Sequence, residues 1–532
     1  MSKVRIMSSA ANPEKSKDKT ITSFSEEVGY LSQLVSSFKS RIELQLIFAI
    51  TCLAAFLRIY HLGAESLWLD EVTTYIISSN SFSGIIETTS GDVHPPLYYI
   101  LVHFFLIGGS SEFILRLPSM LMGVLSIPIL YMLATRLFSP KEGLISSFLL
   151  SISLMHIYYS QEARMYSMLL FLSLCSMYFF YLALEDNKKI YWIVFIVFTT
   201  LNIYTHYFGF FIFPIEIIFY LLTGLSFSGQ SKSKYPIEIK DPSKLKIFLL
   251  SVLVVVLLII PRIQVFFEQA ASRVGGEVTW GLGQSSFIPV LLSRFTTFSA
   301  SPSVLFLILF AAGIIAVILH NKKQALLLGL WFILPILVSF YLAAVMPFQP
   351  RYLIFVLPAF LMLVARGITA IPPLFISEPQ HSGKKRNEFK NGSNKKQVFL
   401  AALIVSLLLL VSAGSLAAYY STPQKNDWRE VSRIIESNTQ QGDVVVPLPS
   451  YISKPLKYYY DNSSEGTYIE TTGYTHEELD LIVAQTAPNK VIFVLTGDIN
   501  AADPRGIAVS WLESNTNVVS VVGGVYILTP NS

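Results

Sequence analysis

Residues 398–420 read VFLAALIVSLLLLVSAGSLAAYY, an apolar run that contains no charged side chain. A helix needs about 20 consecutive, mostly apolar residues to cross the hydrocarbon core of a bilayer. Further runs of this kind are 42–60, 115–137, 142–159, 166–184, 190–207, 208–224, 246–266, 303–320, 324–345 and 352–371. The sequence therefore predicts a mainly α, polytopic membrane bundle of about 11 transmembrane helices.

The composition agrees with a membrane protein. Charged residues make up 14% of the 532 residues and hydrophobic residues 52%, whereas ordinary soluble domains carry about 25% charged residues. A soluble fold of this length would lack the charge to cover its surface. No Walker loop, HExxH or GxGxxG motif is evident, so the sequence does not support a nucleotide-driven mechanism, and no nucleic-acid partner is expected.

Basic residues alternate with acidic ones along the connections between the apolar runs. Lys and Arg are concentrated in the tail 1–41 and in the connections near 141, 188–189, 232–246, 322–323 and 384–396. The long 61–112 loop has neither, and its charged residues are Glu65, Asp70, Glu71, Glu87, Asp92 and Glu112. Because cytoplasmic loops carry the excess of Lys and Arg, we predict a plasma-membrane protein with a cytoplasmic tail and an outer 61–112 loop.

An odd number of transmembrane helices also places residues 421–532 on the outer side of the membrane. This region is polar and net acidic, and Trp428–Ser437 has helical spacing. Three short apolar runs that begin at Asp443, Val491 and Val518 are typical of buried strands. We therefore predict a small extracytoplasmic α/β domain after the transmembrane domain 42–420.

The 61–112 loop opens with Ser66-Leu-Trp-Leu-Asp-Glu-Val72, which places Asp70 and Glu71 shortly after the first helix. A carboxylate at this level can reach both an acceptor hydroxyl and the lipid headgroups. A general base for glycosyl transfer to an acceptor near the membrane would have to lie there. Asp70 and Glu71 are therefore candidate catalytic groups, although either could instead cap an interfacial helix.

The same loop continues with Asp92-Val-His94-Pro-Pro, in which the prolines can start a helix at Pro96. His94 would then lie near a helix N-terminus, where the dipole and the free N–H groups favour an anion such as a phosphate. Alternatively, His94 merely caps the helix.

Two later motifs carry charged or titratable groups in apolar surroundings. Tyr158-Tyr-Ser-Gln-Glu-Ala-Arg-Met-Tyr166 contains Glu162 and Arg164, and Tyr204-Thr-His-Tyr207 contains His206. Charged residues in such a setting are costly unless they are paired or used. A structural pair of Glu162 with Arg116 or Arg164 is the alternative to a role in substrate binding.

Arg351 and Tyr352 lie in Phe348-Gln-Pro-Arg-Tyr-Leu353, at the predicted outer start of the tenth helix. Arg351 could make bidentate contacts to a phosphate, or it could serve as an interfacial anchor. The motifs together place carboxylates, two His, two Arg and several Tyr at one membrane level. A site for a lipid-linked anionic substrate requires this combination.

These motifs resemble the GT-C superfamily of membrane glycosyltransferases, in particular bacterial and archaeal members related to protein O-mannosyltransferases and to the lipid A aminoarabinose transferase. The resemblance covers about residues 45–460. The residues that carry it are Leu67-Trp-Leu-Asp-Glu71, His94-Pro-Pro-Leu-Tyr-Tyr99, Arg116-Leu-Pro-Ser119, Tyr159-Ser-Gln-Glu-Ala-Arg-Met-Tyr166, Tyr204-Thr-His-Tyr207, Pro350-Arg-Tyr-Leu353 and Lys425-Asn-Asp-Trp-Arg429.

The resemblance implies a polyprenyl-phosphate sugar donor and inversion at the anomeric carbon. It assigns the base first to Asp70, and it places His94 and Arg351 near the donor phosphate. The residues expected to bind substrate are Asp92, His94, Glu162, Arg164, Tyr166, His206, Arg351 and Tyr352. Some superfamily members require a divalent cation, but this chain has no clear second DxD motif, so the metal ligands stay unassigned.

The predicted function is transfer of a mannose-like hexose, or a related sugar, from the lipid carrier to a lipid, glycan or protein acceptor on the outer face. A membrane transporter or lipid flippase is the main alternative. Such a protein would be expected to carry charges at mid-membrane and broken, repeated helices. Here most of the charges in the candidate motifs lie at the outer ends of the helices, and no repeat is visible.

Overall fold

The computed structural model describes residues 41–227, 237–273, 281–375, 384–460, 467–468 and 474–531. The basic tail predicted at 1–41 lies outside these residues, except for Arg41 at the start of the first helix. The described part is mainly α-helical and ends in a small sheet, which confirms the predicted fold class.

Each of the eleven predicted apolar runs coincides with a helix. In chain order these helices are α1 (Arg41–Ile59), α5 (Glu112–Leu137), α6 (Pro140–Ile152) with α7 (Leu154–Ser160), α8 (Tyr166–Asp186), α9 (Lys189–Thr205), α10 (Ile212–Gly224), α11 (Pro242–Arg273), α13 (Val304–His320), α14 (Lys322–Leu342), α15 (Leu357–Phe375) and α16 (Lys384–Ser421). Within the described ranges, eight are long and apolar enough to span a bilayer, or nine if α6 and α7 form one bent span. Helices α9 and α13 have only 17 residues each, about 25 Å at 1.5 Å per residue, and so fall short of the usual core thickness.

Three breaks in these helices position residues of the candidate active site. Helices α6 and α7 meet at Ser153 with a bend of 58°. The adjoining apolar runs 190–207 and 208–224 are separated by a break: α9 ends at Thr205, and a 3-10 segment, Tyr207–Phe211, leads into α10. A second 3-10 segment, Pro350–Val356, leads into α15 and contains Arg351 and Tyr352.

The 61–112 loop is itself largely helical. It contains α2 (Leu69–Ser78), α3 (Phe82–Gly91) and α4 (Leu97–Phe105). Ser81 starts α3 because its side chain accepts a hydrogen bond from the Gly84 N–H at 3.2 Å. Pro96 is the N-cap of α4, in agreement with the predicted helix start there. One further helix, α12 (Gln284–Thr296), lies between α11 and α13.

The C-terminal region forms a five-stranded sheet in the order β4-β3-β5-β7-β6. Its strands are β3 (Val444–Leu448), β4 (Thr467–Tyr468), β5 (Val491–Thr496), β6 (Thr516–Val522) and β7 (Val525–Pro530), and a separate hairpin of β1 (Leu225–Phe227) and β2 (Ile237–Ile239) precedes α11. Helices α17 (Trp428–Asn438), α18 (Ser453–Tyr459), α19 (His476–Thr486), α20 (Ile499–Ala502) and α21 (Ile507–Asn515) accompany the sheet.

The three predicted strands of this region are present, but one expectation was wrong. The run at Val518 was predicted to be buried, whereas β6 is the edge strand and most of its side chains are exposed. The buried neighbour is β7, with Val525 and Ile527 in the core. The apolar run alone could not show whether β6 is an edge strand or an inner strand, because that depends on which strands pair with each other in the folded sheet.

Candidate active site

The first turn of α2 carries both predicted catalytic acids, and Glu71 is fully buried. Its carboxylate accepts two parallel hydrogen bonds from Arg116, at 2.8 and 2.9 Å. The Lys425 ammonium and the Ala163 N–H also donate to it, at 2.9 and 2.8 Å. Burial alone would raise the pKa of Glu71, but the charges of Arg116 and Lys425 outweigh it and hold that pKa at about 2. Glu71 is therefore an ionised and fully paired carboxylate. It also takes part in capping α2, since it accepts a 3.4 Å hydrogen bond from the Trp68 N–H.

Asp70, in contrast, is held loosely. Its side chain is 26% exposed, and Oδ2 lies 3.6 Å from Arg351 Nη2 and 3.9 Å from Arg164 Nε. Charge-assisted hydrogen bonds of this type are usually about 2.7–2.9 Å long. The Asp70 carboxylate is thus within electrostatic reach of two guanidinium groups without being locked to either.

The two arginines come from distant parts of the chain. Arg164 lies in the turn between α7 and α8, and its Nη1 donates to the Asp70 carbonyl at 3.3 Å. Arg351 packs among aromatic rings, with Cζ 5.7 Å from the ring centre of Trp68 and 5.5 Å from that of Tyr166. Cation–π contacts of this kind hold a guanidinium in place without using its N–H groups. Arg351 therefore keeps donors available for a ligand.

His94 and His206 lie side by side, with ring centres 5.4 Å apart. His206 follows α9 and is also 5.6 Å from Tyr352 and 5.9 Å from Tyr166. The 3.7 Å distance from His94 Nδ1 to Asp92 Oδ2 brings Asp92 into the same group. Burial lowers the pKa of His94 despite the opposing effect of Asp92, so this imidazole is neutral near pH 7.

Glu162 lies in the turn between α7 and α8 and is 1% exposed. Among the residues that the structure describes, neither of its carboxylate oxygens has a hydrogen-bond partner. The alternative of a structural pair with Arg116 is therefore not realised, because Arg116 pairs with Glu71. Burial raises the pKa of Glu162 to about 7, with Lys425 and Arg351 opposing that rise.

A cavity of about 470 Å³ opens beside the Glu71–Lys425 pair. Its wall includes Tyr158, Gln161, Tyr419 and Lys425, and the Tyr419 hydroxyl donates to Gln161 Oε1 at 2.7 Å. Pockets for small ligands are commonly about 300–1,000 Å³. The cavity is thus large enough for a small polar ligand close to Lys425.

The structure brings the predicted site residues together, and it adds three that sequence reasoning left without a role. Arg116 and Lys425 stood in the quoted motifs, and both prove to hold Glu71. The third is Tyr459 in α18, whose hydroxyl accepts from the Leu67 N–H at 2.7 Å and donates to Glu112 at 2.9 Å. No local signal identifies Tyr459, because it lies hundreds of residues away along the chain.

A divalent cation was left open by the sequence, and the arrangement of side chains bears on it. Within the described ranges, no group of three or more His, Cys, Asp or Glu residues could hold a metal ion. The acid best placed to be a ligand, Asp70, instead faces two guanidinium groups. The residues that the structure describes therefore do not fit a resident metal.

Comparison with known proteins identifies the fold. The family model described as dolichyl-phosphate-mannose-protein mannosyltransferase matches residues 93–238. ArnT from Cupriavidus metallidurans in its apo state superposes with a TM-score of 0.55 at 13% identity, covering 91% of this chain and 97% of that one. The chain has the GT-C glycosyltransferase fold.

Two other GT-C structures carry ligands of their own. ArnT bound to undecaprenyl phosphate has a TM-score of 0.52 at 11% identity, and the coverage is 91% of this chain and 97% of that one. The archaeal oligosaccharyltransferase AglB from Archaeoglobus fulgidus, in complex with an inhibitory peptide and a dolichol-phosphate, has a TM-score of 0.52 at 14% identity. It is covered over 74% of its length, and this chain over 92%. A search of curated protein sequences finds no significant match.

Proposed function

We propose that the chain is an inverting glycosyltransferase that moves a mannose-like hexose, or a related sugar, from a polyprenyl-phosphate carrier to an acceptor on the outer face of the membrane. The observation that carries this proposal is the partly exposed Asp70 carboxylate, which lies 3.6 Å from Arg351 and 3.9 Å from Arg164. A base and two phosphate-binding cations thus meet at one point.

The donor phosphate is assigned to the two guanidinium groups. Arg351 has donors to spare because aromatic rings rather than hydrogen bonds hold it, and a guanidinium matches a phosphate with two parallel hydrogen bonds. The binding of undecaprenyl phosphate by ArnT and of a dolichol-phosphate by AglB supports a carrier of this chemical class. His94 lies next to the cluster as a neutral partner for the same headgroup.

The chemistry then needs a single base. In the reaction, the acceptor oxygen forms a bond to the anomeric carbon while the bond from that carbon to the phosphate oxygen breaks. The lipid phosphate leaves with its electron pair, and Arg351 and Arg164 offset the charge that develops on it. The acceptor hydroxyl gives its proton to Asp70. One displacement inverts the anomeric carbon, and no covalent intermediate on the protein is needed.

Glu71 takes a different role from Asp70 in this proposal. Its carboxylate accepts five hydrogen bonds, from Arg116, Lys425 and the N–H groups of Ala163 and Trp68. Its pKa of about 2 leaves it a poor proton acceptor. Its pairing with Arg116 and Lys425 fixes the first turn of α2, and thereby the backbone that presents Asp70. Glu71 is therefore a positioning residue, and Asp70 is the base.

Transfer by the purified protein tests the proposal directly. Labelled undecaprenyl-phosphate hexoses are incubated with the detergent-solubilised chain and a panel of lipid, glycan and peptide acceptors. Asp70→Asn keeps the shape of the side chain and removes its basicity, so we expect turnover to fall by about 10²–10⁴-fold while donor binding persists. Glu87→Gln alters an exposed acid of the same loop and serves as the matched control.

Two outcomes would contradict the proposal. Near-normal turnover in Asp70→Asn would remove Asp70 as the base. Translocation of the labelled lipid across a vesicle membrane, with its sugar–phosphate bond intact and no product formed, would favour the transporter or flippase alternative.

A further inference from the structure

Several buried polar atoms around Asp70 lack a hydrogen-bond partner among the described residues. They are Glu162 Oε1 and Oε2, Arg164 Nε, Arg351 Nε, His94 Nδ1 and Trp68 Nε1. Buried polar groups in folded proteins are nearly always paired, and exceptions need an explanation. Because the unpaired groups include both acceptors and donors, a ligand that pairs with them must itself carry donors and acceptors.

Among these groups, Glu162 costs the most free energy to leave buried without a hydrogen-bond partner. A buried carboxylate without donors is strongly destabilising, whereas the Glu71 carboxylate accepts five hydrogen bonds. The backbone around Glu162 is also firmly held. Gln161 Nε2 donates to the Arg58 carbonyl at 3.1 Å, and the Ala163 N–H donates to Glu71. These contacts fix the residues on either side of Glu162.

The charges around Glu162 connect it with the residues of the candidate active site. Its charge interacts with those of Lys425, Arg351, Glu71 and Asp70. Its neighbour Gln161 lines the 470 Å³ cavity together with Lys425. Glu162 is thus within electrostatic reach of the proposed phosphate-binding arginine, and the residue before it in the chain lines the cavity.

The local charges favour a neutral ligand group at Glu162. A metal ion would be repelled by the guanidinium groups of Arg351 and Arg164 and by the Lys425 ammonium. Sugar hydroxyls are neutral donors, and two on adjacent ring carbons can pair with the two oxygens of one carboxylate. The unpaired donors on Arg164 and Trp68 can in turn meet ring or hydroxyl oxygens.

We propose that Glu162 binds the donor sugar, with its two carboxylate oxygens accepting hydrogen bonds from neighbouring hydroxyl groups of the pyranose ring. This inference rests on the proposed function, and it assigns the phosphate and the sugar to different residues. Arg351 holds the phosphate that every carrier lipid possesses, whereas Glu162 pairs with the sugar that distinguishes a loaded carrier from a spent one.

The consequence is selection of the loaded carrier. A site built to hydrogen-bond substrate hydroxyls rejects analogues that lack them, because its polar groups are then left buried and unpaired. Undecaprenyl phosphate without a sugar leaves Glu162 unpaired, so the protein binds the loaded donor more tightly and releases the spent lipid.

Binding measurements on the full chain in detergent micelles test this inference. The probes are undecaprenyl phosphate and a series of undecaprenyl-phosphate hexoses, and the hexose with the largest gain in affinity over the bare phosphate is used. In Glu162→Gln we expect that gain to fall by about 10- to 100-fold, with affinity for undecaprenyl phosphate unchanged. Glu216→Gln is the matched control, since Glu216 is also fully buried with one unpaired oxygen but lies in α10 and bonds to Ser176.

A second set of probes removes the hydroxyls instead of the carboxylate. Hexose donors that lack one ring hydroxyl should bind the wild type more weakly than the intact donor does. If the missing hydroxyl is one that contacts Glu162, the deoxy donor and the intact donor should bind Glu162→Gln equally well. Such coupling is expected only if the two groups touch.

Three results would overturn the inference, and they are distinguishable. Equal weakening of both probes in Glu162→Gln would make the residue structural. Unchanged affinity for both would remove it from the site while leaving the proposed function intact. A wild type that gains no affinity from any hexose would refute this inference together with the proposed donor.

Discussion

At the scale of single residues, two buried glutamates show how partners decide chemistry. Glu71 and Glu162 have the same side chain and nearly the same burial. Arg116 and Lys425 hold the pKa of Glu71 at about 2, whereas burial without hydrogen-bond donors raises that of Glu162 to about 7. Glu71 is therefore ionised and held in place by its partners, whereas the protonation of Glu162 can change with pH or with a bound ligand.

The raised pKa of Glu162 leads to a prediction about stability. In the unfolded chain a glutamate ionises near 4.5, so between about pH 4.5 and 7 the folded state holds a proton that the unfolded state has lost. Stability therefore falls as the pH rises through this window, and Glu162→Gln, which cannot ionise, escapes the loss. We expect the melting temperature of Glu162→Gln, relative to that of the wild type, to rise between pH 5 and 8. A difference that is constant over this range would show that Glu162 does not titrate there.

At the scale of elements, close helix packing carries Arg351 into the site. Helices α13 and α15 approach so closely at Gly313 and Gly367 that a Cβ at either glycine would collide with the backbone carbonyl of Leu363 or Leu309, respectively. Small residues permit such contacts between membrane helices. Since α15 continues from the 3-10 segment with Arg351 and Tyr352, this crossing helps to set the position of both residues.

Gly313→Ala tests the importance of this crossing. The added methyl group meets backbone rather than a flexible side chain, so the helices must separate. Overpacking of this kind costs about 1–3 kcal/mol, and we expect a lower melting temperature together with weaker binding of undecaprenyl phosphate. Gly329→Ala in α14 is the control, since nothing lies within 4 Å of its added Cβ and alanine favours a helix. Equal melting temperatures for the two variants would show that the crossing tolerates the methyl group.

A second element, α2, depends on the C-terminal region. The N–H of Leu67 donates to Tyr459 in α18, and Ser66 donates to Asp427 at 3.0 Å. Both contacts lie just before the turn that presents Asp70. The residues that follow the last apolar helix therefore help to shape the candidate site, in addition to forming a sheet of their own.

At the scale of the whole molecule, the distribution of charge predicts orientation. The connections rich in Lys and Arg alternate with acidic ones, which predicts that Lys322 faces the cytoplasm and Ser437 the outside. Single cysteines at these exposed positions, with Cys52 and Cys175 replaced by alanine, can be labelled in whole cells with a membrane-impermeant maleimide. We expect Ser437→Cys to react in intact cells and Lys322→Cys only after permeabilisation. Labelling of both positions from the same side would rule out the predicted arrangement.

The sequence was sufficient for features that depend on local composition or on the bilayer. A membrane helix satisfies its own backbone hydrogen bonds and needs only a long apolar run, so every run from 42–60 to 398–420 proved helical. The same reasoning located the strands at Val444 and Val491 and the helix after Pro96. It also predicted that Asp70, Arg164, His206 and Arg351 lie close to one another, because their motifs all lie at the predicted outer ends of helices.

Tertiary structure decided everything that depends on partners distant in the chain. Contacts between segments separated by up to several hundred residues pair Arg116 and Lys425 with Glu71 and Tyr459 with Leu67. They also leave Glu162 without a hydrogen-bond partner among the residues that the structure describes. The exposure of β6 likewise follows from its edge position in the sheet. Composition determines which segments enter the membrane, whereas the pairing of one buried charge with another is a property of the assembled fold, and this pairing distinguishes a loosely held acid such as Asp70 from a fixed one such as Glu71.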